Sequence, residues 1–151
     1  MKRFHFTLQP VLEQRERIED EKQQNVAQKQ RAHDEADAEL RRLYVEFKAQ
    51  STRIREKHRS VEAEELRLMY AHVHFLDRCI VAQIQIVAEK KVALEKARKE
   101  LLEASKERKV VEKLKERRKT AHAAEIARLE QNELDDNNAR RYARATVGGS
   151  Q

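Results

Sequence analysis

From Val11 to Val147 the chain contains neither glycine nor proline; Pro10 precedes this stretch and Gly148 and Gly149 follow it. Tight turns draw heavily on those two residues. A chain without them has little means of making the many reversals a sheet requires, which argues against all-β and α/β folds. What fills the stretch is Ala, Leu, Glu, Lys, Arg and Gln, with 40% of residues charged and only 5% aromatic. That is the composition of long helices and coiled coils. Low hydrophobicity with high charge also describes disordered chains. Here 33 basic residues stand against 27 acidic ones, so self-repulsion is small, and the apolar residues are periodic.

Pro10 suits the first turn of a helix, where its missing N–H would be unpaired anyway. From Leu12 a 3-4 spacing runs Leu12, Arg15, Glu19, Lys22, Val26, Lys29, His33, Ala36, Leu40, Leu43, Phe47, Gln50, Ile54, Lys57, Val61. Its first half is polar and should pack loosely; its second half is a good heptad stripe. A second seam runs Val73, Leu76, Ile80, Gln83, Val87, Lys90, Leu94, Ala97, Leu101, Ala104, Arg108, Val111. Such a period keeps one face towards a partner helix. The two seams do not share a phase, so the register breaks between Val61 and Val73. Beyond Val111 the phase slips again, as a stutter does.

These patterns predict an all-α fold, an antiparallel two-helix coiled-coil hairpin in a single domain, 1–151. The first helix is expected over about 9–58, the bend over about 59–70 with Ser60 as a helix cap, the second helix over about 71–145, and a frayed tail over 146–151. A single unbroken helix would be about 200 Å long; folding back buries both stripes within one chain. The segment Cys79–Ala88 is too apolar for a two-helix seam, which buries only about two residues in seven. Its surplus, including Val81, Ile84 and Ile86, either packs under the bend or forms a docking patch.

The residue pattern holds little chemistry. A phosphate-binding loop needs glycines, and the six histidines are scattered. His72 and His74, two apart, point to different faces of a helix. Cys79 lies on an apolar face, as a buried inert thiol does. A two-helix fold offers the many carboxylates no concave pocket. The expectation is no enzyme, no metal and no cofactor. No apolar run is long enough for a membrane span, the N-terminus lacks the apolar core of a signal peptide, and the lone cysteine cannot form an internal disulfide; together these predict a cytoplasmic chain.

Charge is distributed in blocks. Lys106–Lys119 holds eight basic and three acidic residues, Glu125–Asp136 is acidic apart from Arg128, and Arg140, Arg141 and Arg144 are basic again. One reading is a solvated surface with local pairs such as Glu112–Lys115 and Glu116–Lys119. Another is contact with acidic protein or nucleic acid. Nucleic-acid binding favours a continuous basic stripe with aromatics for stacking; here acids interrupt it, so no nucleic acid is expected.

Three stretches, in order, carry a family likeness. The start, Phe4-x-Phe6-x-Leu8-x-x-Val11-Leu12-x-x-Arg15, resembles the opening of FliJ-type proteins of the bacterial flagellar export apparatus. The middle, Tyr70-x-x-x-x-Phe75-Leu76-x-x-x-Ile80-x-x-Gln83, is similar to the start of that family's second helix. The run Val111–Arg118, then Glu125-x-x-Arg128-x-Glu130-Gln131-x-Glu133-Leu134-Asp135-Asp136, resembles its closing pattern, with Glu133 where lysine is common and Asp136 where glutamate is common.

The resemblance implies a non-enzymatic coiled coil similar to the central stalk of rotary ATPases, serving flagellum assembly and hence motility. Its paired ends would enter a hexameric flagellar export ATPase. Its opposite part would engage the cytoplasmic domain of the large export-gate membrane protein, and it would handle export chaperones. The protein would be cytoplasmic and peripherally associated with the inner face of the plasma membrane. By position, gate binding would fall on Leu40, Leu43, Tyr44, Phe47, Phe75, Cys79, Ala82 and Ile86. ATPase-ring contacts would fall on Phe4, Phe6, Leu8, Val11, Arg15, Glu130, Gln131, Asp135 and Arg140. Alternatives are a stalk protein of a virulence type III secretion system, a basic helical nucleic-acid binder, and a structural coiled coil that self-associates through Val81, Ile84 and Ile86.

Overall fold

A computed structural model describes residues 3–147. It contains two helices, α1 (Gln9–Lys57) and α2 (Ala63–Val147), packed against each other, with no strand among the described residues. The fold is the all-α two-helix hairpin that the seams predict. The frayed tail expected from residue 146 falls largely outside the described residues; Thr146 and Val147 are in α2.

The helix ends follow from local chemistry. The Leu12 N–H bonds the Leu8 carbonyl at 3.0 Å, so Leu8 opens α1 and Pro10 sits in the first turn, where no donor is missed. α1 closes with Arg55 and Lys57 in its last turn, and α2 opens with Glu64 and Glu65 in its first, each matching the helix dipole. Ser60 does not cap α2. Its hydroxyl and N–H both donate to the Lys57 carbonyl, at 3.1 and 2.9 Å, and so terminate α1. The carbonyl that starts α2 is that of Glu62, bonded by the Leu66 N–H at 3.0 Å. The reversal therefore occupies 58–62, and α2 begins at Ala63 rather than near residue 71. No residue of positive φ occurs among those described, so the bend is made without glycine.

Two compact units are present: residues 18–104, and residues 3–17 with 105–147. In the unit of residues 18–104, the antiparallel α1 and α2 segments bury Ala36, Leu43, Ile54, Leu76, Ile80, Leu94, Ala97 and Ala104. Every one of these is a seam position. The densest cluster is Leu43, Leu76 and Ile80, with Leu40, Phe47 and Cys79 packed against it. Polar seam positions bond across the helices: Lys22 Nζ to Glu100 at 3.0 Å, and Gln83 Nε2 to the Ala36 carbonyl at 2.9 Å. Lys29 and Lys90 are exposed despite their seam positions, since a long amine reaches water from the edge of a seam.

In the other unit, residues 3–8 run without helix onto α2. Phe6 and Leu12 are buried there. Phe4 lies against His122 with ring centroids 5.5 Å apart, and the Arg118 guanidinium sits 5.9 Å from the Phe6 centroid. Arg15 pairs with Glu107, Lys115 donates to Gln9 at 2.9 Å, and Arg118 to Thr7 at 3.3 Å. Glu112 is held by Arg108 at 2.6 Å rather than by Lys115. These contacts climb α2 as they descend the N-terminal segment, reaching His122 at Phe4. Beyond Ile126, α2 is exposed at each residue through Ala145.

Candidate partner-binding surfaces

Two grooves each bring together some of the residues singled out by sequence. The first is a groove of about 540 Å³ in the unit of residues 18–104, lined by Leu43, Phe75, Leu76, Cys79 and Ala82. Its floor is the Leu43–Leu76 core. Its wall on α2 is the stripe Phe75, Cys79, Ala82, spaced so that successive side chains stack on one helix face. Phe75 is 53% exposed, so its ring is not a core ring.

The groove's rim is polar. Arg42 makes a forked contact to Glu39 at 2.9 and 2.6 Å, and reaches Glu46 at 3.3 Å. Glu46 in turn meets His72 of α2 at 3.4 Å. The hydrogen bond from Arg42, with its charge, holds the Glu39 carboxyl below the usual carboxylate range, and Glu39 holds Arg42 firmly protonated. Sequence reading missed these rim residues. The signal was available: Glu39, Arg42 and Glu46 follow the three- and four-residue spacing of helix-surface ion pairs.

The eight positions expected at the gate divide. Leu43 is buried; Leu40, Phe47 and Cys79 are half-buried against it; Phe75, Tyr44, Ala82 and Ile86 are exposed. They do not share one face. With about 100° per residue, Tyr44 lies on the flank of α1 away from Arg42 and Glu39, whereas Ile86 continues the Phe75–Cys79–Ala82 stripe. Near the bend, a smaller groove of about 380 Å³ opens between Ile54, Arg55 and His58 of the first helix segment and Tyr70 and Val73 of the second.

The second surface is a groove of about 540 Å³ where Phe4 and Arg3 meet Lys119, His122, Ile126 and Glu130. Of the nine positions expected at the ATPase ring, Phe4 and Glu130 share this groove. Phe6 is buried beneath Arg118, Leu8 is half-buried, and Val11 is 38% exposed. Arg15 is engaged with Glu107. Gln131 and Asp135 bond each other at 2.9 Å on the exposed face of α2, and Arg140 lies farther along it. Among the described residues, no cluster of His, Cys, Asp and Glu is arranged to hold a metal, and no helix is long and apolar enough to cross a membrane.

Fold and surfaces together define an antiparallel helical hairpin whose grooves are open to solvent. The model of the family described as "Flagellar FliJ protein" matches residues 4–146, nearly the whole chain, and the chain belongs to that family. Membership makes it a flagellar export-related protein, in a family of non-enzymatic, cytoplasmic export components. No curated protein and no solved structure matches it.

Proposed function

We propose that this chain is the stalk-like coupling element of the flagellar export apparatus, joining the hexameric export ATPase to the cytoplasmic domain of the export-gate membrane protein and receiving export chaperones. The observation that carries the ATPase half of this reading is the union of the N-terminal segment with α2. Phe4 against His122 and Phe6 under Arg118 hold the early residues on the helix just before its fully exposed stretch. A shaft that enters a ring needs such a joined, helical end. Its exposed charges alternate in sign along the chain, from the acidic block at Glu125–Asp136 to Arg140, Arg141 and Arg144. That pattern suits contact with a polar pore lining, and screened charges there allow sliding contact.

The gate half rests on the groove beside Phe75. An exposed aromatic at the wall of an apolar groove with a charged rim is the arrangement of an interface anchor. On this reading Phe75, Cys79, Ala82 and Ile86 insert into the gate, while Leu40, Leu43 and Phe47 keep the groove floor rigid.

The test measures binding of the full chain to purified export ATPase and, separately, to the gate's cytoplasmic domain. Arg140→Glu with Arg141→Glu should weaken ATPase binding and leave gate binding unchanged. Equal loss of both, or loss of neither, would remove the assignment of separate surfaces.

A further inference from the structure

The groove beside Phe75 has two unlike walls. The α2 wall, formed by Phe75, Cys79 and Ala82, is apolar. The α1 wall carries Glu39 and Glu46 with Arg42 between them. The two carboxylate residues are about 10 Å apart along the helix, at 1.5 Å per residue. With about 100° per residue, Glu39 and Glu46 both lie on the groove side of Leu43, within about 60° of it, whereas Arg42 lies farther out, at about 100°. A segment seated in the groove therefore meets the two carboxylates before it meets the guanidinium.

Two carboxylates against one guanidinium give the lining a net charge of −1, with His72 counted as neutral. Arg42 does not serve the two equally. It grips Glu39 through two contacts, at 2.9 and 2.6 Å, and reaches Glu46 through one, at 3.3 Å. The other neighbour of Glu46 is His72, 3.4 Å away. Glu46 is thus the loosely matched charge of the groove.

We infer that the segment of the export gate that fills this groove is an amphipathic helix with a Lys or Arg bordering its apolar stripe, and that this cation pairs with Glu46. The inference rests on the gate-binding reading above and names the chemistry of the partner. A groove between two packed helices seats a third at an axial spacing of about 8–10 Å. The partner's apolar stripe lies on Phe75, Cys79 and Ala82, and its basic edge turns towards α1. An acidic segment is disfavoured, because its carboxylates would oppose Glu39 and Glu46.

The test is binding of the full chain to the gate's purified cytoplasmic domain at about 50 and about 500 mM salt. Native affinity should fall as salt rises, since the pair forms at an open rim. Glu46→Gln should weaken binding about threefold at low salt and flatten that salt dependence, with circular dichroism unchanged. Arg42→Gln separates charge from support. It takes the lining from −1 to −2, so gate binding should strengthen about twofold at low salt. A rim that merely props the groove open would bind more weakly without Arg42, and that result would overturn the inference. Phe75→Ala, measured in parallel, reports on the groove itself. If Phe75→Ala weakens binding while Glu46→Gln leaves affinity and its salt dependence unchanged, the groove remains the gate site and the cationic partner is wrong. If Phe75→Ala also leaves binding unchanged, the gate reading and this inference fail together.

Discussion

Gln83 of α2 donates a hydrogen bond to the backbone carbonyl of Ala36 in α1, 2.9 Å away. The contact exists because Ala36 presents only a methyl group at the seam, is itself buried, and leaves the α1 backbone within reach. A polar side chain at a seam position helps to fix helix register. Ala36→Leu should both displace Gln83 and overpack the seam, lowering stability by about 1–3 kcal/mol. Gln83→Ala should cost about 1 kcal/mol, close to the value of one hydrogen bond. Urea unfolding followed by circular dichroism measures both.

Leu76 is the most buried core residue, at 2% exposure, and its neighbour Phe75 is largely exposed. Leu76→Ala should destabilise the hairpin by roughly 2–4 kcal/mol through lost burial and a cavity. A much smaller loss from Leu76→Ala would mean that the Leu43–Ile80 cluster does not form in solution.

Phe6 is buried in a segment that has no helical hydrogen bonds to hold it. Phe6→Ala should therefore release the N-terminal residues without melting the unit of residues 18–104. Hydrogen exchange should show lost protection at Gln9 and Leu12, whose N–H groups bond to Phe6 and Leu8, and unchanged protection around Leu76. Unchanged protection at Leu12 would show that Phe6 does not hold that end.

Lys22, by its hydrogen bond and then its charge, holds the Glu100 carboxyl below its ordinary value of 4.5. A depressed carboxylate stabilises the folded state above the unfolded-state value, and that contribution fades as pH falls through the lowered one. Stability should thus decline below about pH 4.5. Glu100→Gln should be less stable than the native chain at neutral pH, with the gap closing in acid. The pair is solvent-exposed, so the gap should be small and should shrink in high salt. A gap that widens in acid would contradict the assignment.

Much of this fold is legible in the heptad pattern. Seam spacing alone marks Leu12, Ala36, Leu43, Ile54, Leu76, Ile80, Leu94, Ala97 and Ala104, all of them buried. It also places Lys22 and Gln83 on the seams, but not the bonds they make to Glu100 and the Ala36 carbonyl. The bend is less legible, because a reversal built without glycine or proline leaves only a phase shift as its trace. The pair Glu64 and Glu65 was the finer signal, as acidic residues favour a helix N-terminus. Heptads are equally blind to residues 3–8, which are not helical; there the likeness to FliJ-type openings drew attention to Phe4 and Phe6. The groove rim at Arg42, Glu46 and His72 is assembled from both helices, and only their register brings it together. Which exposed residues meet a partner depends on the partner's surface as well, and spacing within one chain does not encode that.

Phe75→Ala measured on one preparation, for both stability and binding, reaches the proposed coupling role most directly. Burying such a side chain in a partner is worth roughly 1.5–3 kcal/mol, and about 1.4 kcal/mol is tenfold in affinity. With the ring 53% exposed in the free chain, circular dichroism and unfolding should be nearly unchanged. Affinity for the gate's cytoplasmic domain should fall by one to two orders of magnitude, with ATPase binding intact. Unaltered gate affinity, or a loss of helicity that accounts for the binding defect, would contradict a docking role for this face.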